Sequence, residues 1–247
     1  MKAVLLFILM FFCSIVFADP IKKIVFFGDS LSDNGNLYKK LKTIPPPPYF
    51  QGRFSNSYVW SEILATEYTY QYPSITIENY ATGGTSLIIH KPIVRGQVDE
   101  YLKHEPVNAR KDVLYVIWAG ANDYLTGKEN DVETSTTTAI NELTDVITNL
   151  INNGGTHFFL LNLPNLSETP YGKRSTRTSI LGQLAERHNR KLEESVATLK
   201  NQHPNVTILI LSVESVFNEL MHQTDRFNRR YGTSINSSTA FITLLPS

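Results

Sequence analysis

The chain has 247 residues, with 23 basic and 23 acidic side chains, six histidines and one cysteine. A net charge of zero with both signs interspersed excludes the basic footprint of a nucleic-acid binder or a polybasic membrane segment. A single cysteine excludes a disulfide scaffold, and no Cys/His cluster has metal-ligand spacing, so the fold must rest on an apolar core.

Lys2, the apolar run Ala3 to Phe17 and then Ala18 read as a secretory signal peptide at 1–18, and the product is expected to be secreted or periplasmic. That run is shorter than the roughly 20 residues of a spanning helix, and it contains Cys13. Residues 19–247 are then expected to form one domain. Its first apolar run, Ile24-Val25-Phe26-Phe27, breaks into Gly28-Asp29-Ser30, which is how a buried strand ends when it presents a small hydroxyl at its carboxyl tip. Pro45 to Pro48 makes a stiff turn in the connection that follows. A helix is expected over Asn56 to Tyr68, with Val59, Trp60, Ile63 and Leu64 on one face.

Four more strand-like runs follow, at Ile75 to Tyr80, Val113 to Trp118, His157 to Leu163 and Val206 to Leu211. Three are almost continuously apolar, as strands covered on both faces are. Helical periodicity fills Glu133 to Asn152, stopped by Gly154-Gly155, then Thr176 to Asn201 and Val213 to Gln223. Strands alternating with helices predict an α/β fold, a three-layer α/β/α sandwich around a five-stranded parallel sheet.

Ligands bind at the carboxyl tips of the strands in such sheets. Ser30 therefore reads as a nucleophile, and two loops could supply donors for an oxyanion. One is Asn79 to Ser86, where Gly83-Gly84 lets the backbone come close to a ligand. The other is Ala119-Gly120-Ala121-Asn122-Asp123, which sets an amide at a strand tip. Arg53 reads as a loop-bracing cation rather than a phosphate ligand. Tyr38, Tyr49 and Phe50 could line an acyl site.

These blocks carry a resemblance. Phe27 to Asp33, Asn79 to Thr85 and Gly120 to Asp123 resemble the first three blocks of the GDSL lipases and acylhydrolases, the SGNH hydrolase superfamily. Gly28 to Tyr38 and Pro47 to Asn56 are similar to secreted bacterial phospholipase A, lysophospholipase and glycerophospholipid–cholesterol acyltransferase members. The resemblance implies an SGNH, flavodoxin-like sandwich. It makes Ser30 the nucleophile and an N–H donor, with Gly84 and Asn122 completing the oxyanion hole. No cofactor is implied. The implied partner is an acyl-ester or lipid substrate, met in transient contact with a membrane surface.

The family's base is a His in an Asp-x-x-His block near the C-terminus. No Asp stands three residues before His90, His104, His157, His188, His203 or His222, and only His222 has a carboxylate there, Glu219. Residues 231–247 carry no charge, unlike the chain before them, as a domain truncated at its C-terminus would show and as an intact tail that simply ends there would also show. The expected function is an exported serine ester hydrolase. The alternative is an impaired or non-catalytic form of that fold, without the His and Asp of the triad.

Overall fold

The computed structural model describes residues 21–88, 92–128 and 130–232. The expected signal peptide and His90 lie outside the described residues. Five strands, β1 (Lys23–Gly28), β2 (Thr76–Asn79), β3 (Val113–Trp118), β4 (His157–Leu161) and β5 (Thr207–Leu211), pair in parallel in the order β2-β1-β3-β4-β5. The chain therefore leaves β1 for one edge and returns across it to β3, which makes the tips of β1 and β3 a topological switch point.

Successive strand residues point to opposite faces, and both faces are buried. Val25, Phe27, Tyr115, Ile117, Phe158 and Leu160 enter one core. There they meet helices α3 (Val94–His104), α5 (Val132–Asn152) and α7 (Thr178–Gln202). Ile24, Phe26, Leu114, Val116, Phe159 and Leu161 enter the other, against Trp60 and Leu64 of α2 (Trp60–Gln71). Each fully buried Phe contributes about 1.5–3 kcal/mol of transfer free energy. The alternation explains the continuous apolar runs and bears out the α/β fold with a five-stranded parallel sheet between helices.

Shorter helices complete the order: α1 (Asn36–Leu41), α4 (Ala121–Leu125), α6 (Pro170–Arg174), α8 (Val213–His222) and α9 (Thr224–Tyr231). α5 opens where the Thr134 N–H donates to the Asp131 carboxylate at 3.0 Å. It closes where Gly154, at φ +97°, turns the chain toward β4. α2 begins four residues later than expected. Glu62 accepts the Val59 N–H at 3.1 Å, and this cap sets the first turn at Trp60. α3 was not expected at all, because the polar Gln97 interrupts the buried face made by Val94, Val98 and Tyr101.

Candidate active site

β1, β2 and β3 end in three loops that long-range hydrogen bonds join. Gly28 ends β1 at φ +149°, and a Cβ there would lie 2.2 Å from the Trp118 carbonyl oxygen of β3. Only glycine fits so close an approach. The Gln97 side chain accepts the Gly28 N–H and donates to the Gly28 carbonyl, both at 2.9 Å. The same amide donates to Thr85 Oγ1 at 3.0 Å, and the Thr82 N–H reaches the Gly28 carbonyl at 3.0 Å. One buried glutamine thus ties the β1 tip to the β2 loop.

Ser30 is half-buried in a tight turn. The Asp29 carbonyl accepts the N–H groups of Ser32 and Asp33 at 3.1 and 3.0 Å, and the Asp29 carboxylate accepts the Leu31 N–H at 2.9 Å. Burial pushes the Asp29 carboxyl up to about 7, and the nearby Asp123 and Asp33 add to the rise. Asp33 is fully buried. Its Oδ1 accepts Gly35 N–H at 2.8 Å and Asn36 N–H at 2.5 Å, and its Oδ2 accepts Leu37 N–H at 3.2 Å and Gly83 N–H at 2.7 Å. Asn36 and Asn79 add further ties. The Asn36 amide donates to the carbonyls of Asn79 and Ala81 at 2.8 and 2.9 Å. The Asn79 amide donates to the Ser32 carbonyl at 2.8 Å.

Gly84 is exposed at φ +79°, and a Cβ there would meet nothing within 4 Å. Its neighbours are held on both sides, Gly83 by Asp33 and Thr85 by Gln97 and Asn122. Gly120 turns the chain at φ +118° into α4. Asn122 is half-buried, and its amide donates one N–H to the Thr85 carbonyl at 2.7 Å. An amide nitrogen carries two N–H groups, so a second remains on Asn122. The Asp123 carboxylate accepts Leu87 and Ile88 N–H at 2.8 and 2.9 Å. The loops that carry Ser30, Gly84 and Asn122 are therefore adjacent and mutually bonded at one edge of the sheet.

The histidines lie otherwise. His188 of α7 is fully buried, with Nδ1 2.8 Å from Tyr124 Oη and no hydrogen-bond partner at Nε2 among the described residues. Burial lowers its pKa to about 3. Its ring packs beneath Gly120, where a Cβ would come within 2.7 Å of its Cε1. His222 is exposed, with Nε2 2.8 Å from Glu168. His157 sits within β4, and His104 pairs with Glu100 at the exposed end of α3. Arg53 braces its loop as expected, donating to both Glu62 oxygens at 3.2 and 2.7 Å and to the Gln51 carbonyl. Tyr49 packs on Phe54 and Phe50 on Tyr58. The sequence offered Asp33 as a cap for the next helix, which it is, but it missed the bond from Asp33 across to Gly83 and the role of Gln97. Asp33 before Gly35-Asn36 carries the signature of a side chain closing its own turn, whereas Gln97 carries no local signal.

The GDSL-like lipase/acylhydrolase pattern matches residues 24–237. The chain belongs to that family. It is 31% identical over 216 residues to a phosphatidylcholine-sterol acyltransferase of Aeromonas hydrophila, covering 83% of this chain and 62% of that protein. It is 30% identical over 210 residues to the secreted effector protein SseJ of Salmonella typhimurium, covering 81% and 49%. The chain thus spans half to about three-fifths of the length of these relatives. A catalytic mutant of an acetylxylan esterase from Geobacillus stearothermophilus shares the fold, with a TM-score of 0.53 at 15% identity over 94% of this chain and 90% of that one.

Proposed function

We propose that the chain is an exported serine ester hydrolase acting on acyl esters, (lyso)phospholipids or other lipids, through an acyl-enzyme on Ser30. In this reading Ser30 Oγ attacks the ester carbonyl carbon, and the Ser30 proton passes to a base. The tetrahedral oxyanion takes hydrogen bonds from the backbone N–H groups of Ser30 and Gly84 and from the second N–H of Asn122. Collapse of the intermediate breaks the ester C–O bond and releases the alcohol. Water then attacks the acyl-serine and releases the acid. The observation that carries the reading is the bonded junction of the three loops, centred on Gln97, Asp33 and the Asn122–Thr85 contact. The name of the Aeromonas hydrophila relative, a phosphatidylcholine-sterol acyltransferase, supports acyl lipids as the substrate class.

One observation favours a second reading, a catalytically impaired form of this fold. His188 is buried with its pKa near 3, so it does not stand as a base, and among the described residues no histidine is hydrogen-bonded to Ser30; His222 is bonded to Glu168 instead. Turnover of a short-chain acyl ester and of a lysophospholipid separates the two readings. The hydrolase reading expects turnover that Ser30→Ala abolishes, with Asn122→Ala lowering kcat by roughly 100- to 1000-fold. A higher KM at unchanged kcat would assign Asn122 to substrate binding instead. Wild-type rates no higher than Ser30→Ala, about four orders of magnitude or more below an active relative, would establish the impaired form. If turnover is robust, His90→Ala and His222→Ala locate the base.

A further inference from the structure

Nine large apolar side chains are exposed among the described residues, and five of them lie in the connection between Ser30 and α2. They are Leu31, Tyr38, Leu41, Ile44 and Tyr58, each 38–52% exposed. Of residues 38–48 only Pro45 is buried, and the others are exposed. The charge of this stretch is equally biased. Its one acid, Asp33, is buried and bound to four backbone N–H groups, and Arg53 is paired with Glu62. The charges left facing water are Lys39, Lys40 and Lys42, all positive, in a chain whose net charge is zero.

The segment is fastened to the site rather than hanging from it. Phe54 and Leu37 pack against Gly83, where a Cβ would come within 2.3 and 2.9 Å of them. The Asn36 amide is bonded to the β2 loop. Whatever the segment rests on is therefore brought to the edge that carries Ser30.

We propose that residues 31–58 form a docking surface for a lipid–water interface bearing anionic head groups. Separate apolar side chains on an exposed stretch can sink individually between acyl chains, while flanking lysines reach the head-group phosphates with their ammonium ends. No described helix is long and apolar enough to cross a membrane, and the proposed contact is one made by this surface segment. Each lysine held near an anionic surface strengthens binding roughly fivefold. The inference extends the acyl-lipid reading, since docking would present Ser30 to its substrate, but it is tested by binding alone.

The test uses the full chain carrying Ser30→Ala, sedimented with phosphatidylcholine vesicles and with vesicles containing about one third phosphatidylglycerol, at low and high salt. The expected result is preferential, salt-sensitive binding to the anionic vesicles. Lys39→Gln/Lys40→Gln/Lys42→Gln together should weaken it roughly a hundredfold. Leu41→Asp/Ile44→Asp should weaken it at least tenfold at either salt. The control Arg229→Gln, at an exposed position of α9, should bind as the parent does. Unchanged urea midpoints establish that these surface variants are folded. No binding, binding equal on neutral vesicles, or binding lost through Arg229→Gln and not through the segment would each overturn the proposal. So would self-association abolished by Leu41→Asp/Ile44→Asp without vesicle binding, which would assign the surface to a second copy of the chain. Ester turnover without vesicle binding would leave the Ser30 reading standing and remove this one.

Discussion

Replacing Asp33 with Ala deletes the acceptor shared by four backbone N–H groups, three in the turn after Ser30 and one at Gly83. A hydrogen bond to a charged group is worth about 1.5–3 kcal/mol, and a buried donor stripped of its acceptor loses that in full. Gly35 and Gly83 are buried and have no recourse to water, so each costs about 2 kcal/mol. Asn36 and Leu37 are half-buried, and the Leu37 contact is long at 3.2 Å, so the two together add less than about 1 kcal/mol. The total of about 4–5 kcal/mol is a large share of a typical stability of roughly 5–15 kcal/mol. With a urea m-value of about 3 kcal/mol per M, the midpoint should fall by about 1.5 M. Asp33→Asn keeps the two bonds at Oδ1 but turns an amide toward the Gly83 N–H, so it should lie about midway between parent and Ala. Equilibrium urea unfolding of the three proteins, followed by far-UV circular dichroism and tryptophan fluorescence, measures both shifts. A fall of less than about 0.5 M for Asp33→Ala would refute the reasoning, because the carboxylate would then not be holding the loops together.

Two buried groups should tilt the pH dependence of stability in opposite directions. Asp29 is raised to about 7, so between pH 4 and 7 the unfolded chain has lost a proton that the folded one keeps, and this group's contribution falls as pH rises. His188 is lowered to about 3, so between pH 6.5 and 3 the unfolded chain binds a proton that the folded one refuses, and its contribution falls as pH drops. Asp29→Asn should therefore make stability drop more steeply on acidification, and His188→Gln less steeply, in urea midpoints taken at pH 4.5, 6 and 7.5. Parallel pH profiles for the three proteins would contradict both assignments. The glycines offer a further contrast. Gly120→Ala forces a Cβ into the His188 ring at a left-handed dihedral and should cost about 2–4 kcal/mol. Gly84→Ala has open space and should cost only the dihedral strain of about 1–2 kcal/mol. Similar thermal midpoints for the two would refute the packing of His188 beneath Gly120.

The strands and three of the long helices were readable because their signals are local. Runs such as Val113 to Trp118 are apolar at every position since both faces of a parallel sheet are buried, and α5 has its cap, Asp131, and its glycine stop, Gly154, beside its ends. The breaks after β1, β2 and β3 were equally plain, so the loops carrying Ser30, Gly84 and Asn122 could be placed at strand tips from the chain alone. The start of α2 was misplaced because Glu62 sets it from inside the helix, and α3 was missed because a glutamine occupies its buried face. That glutamine is 69 residues from the glycine it grips, and Asp33 is 50 from Gly83. No periodicity records such pairs, since they form only when the β2-β1-β3 order brings the strand tips together. The environment of the histidines was hidden for the same reason. His188 lies on a helical face like any other, and only the packing of α7 against the β3 loop removes it from water and lowers its affinity for a proton.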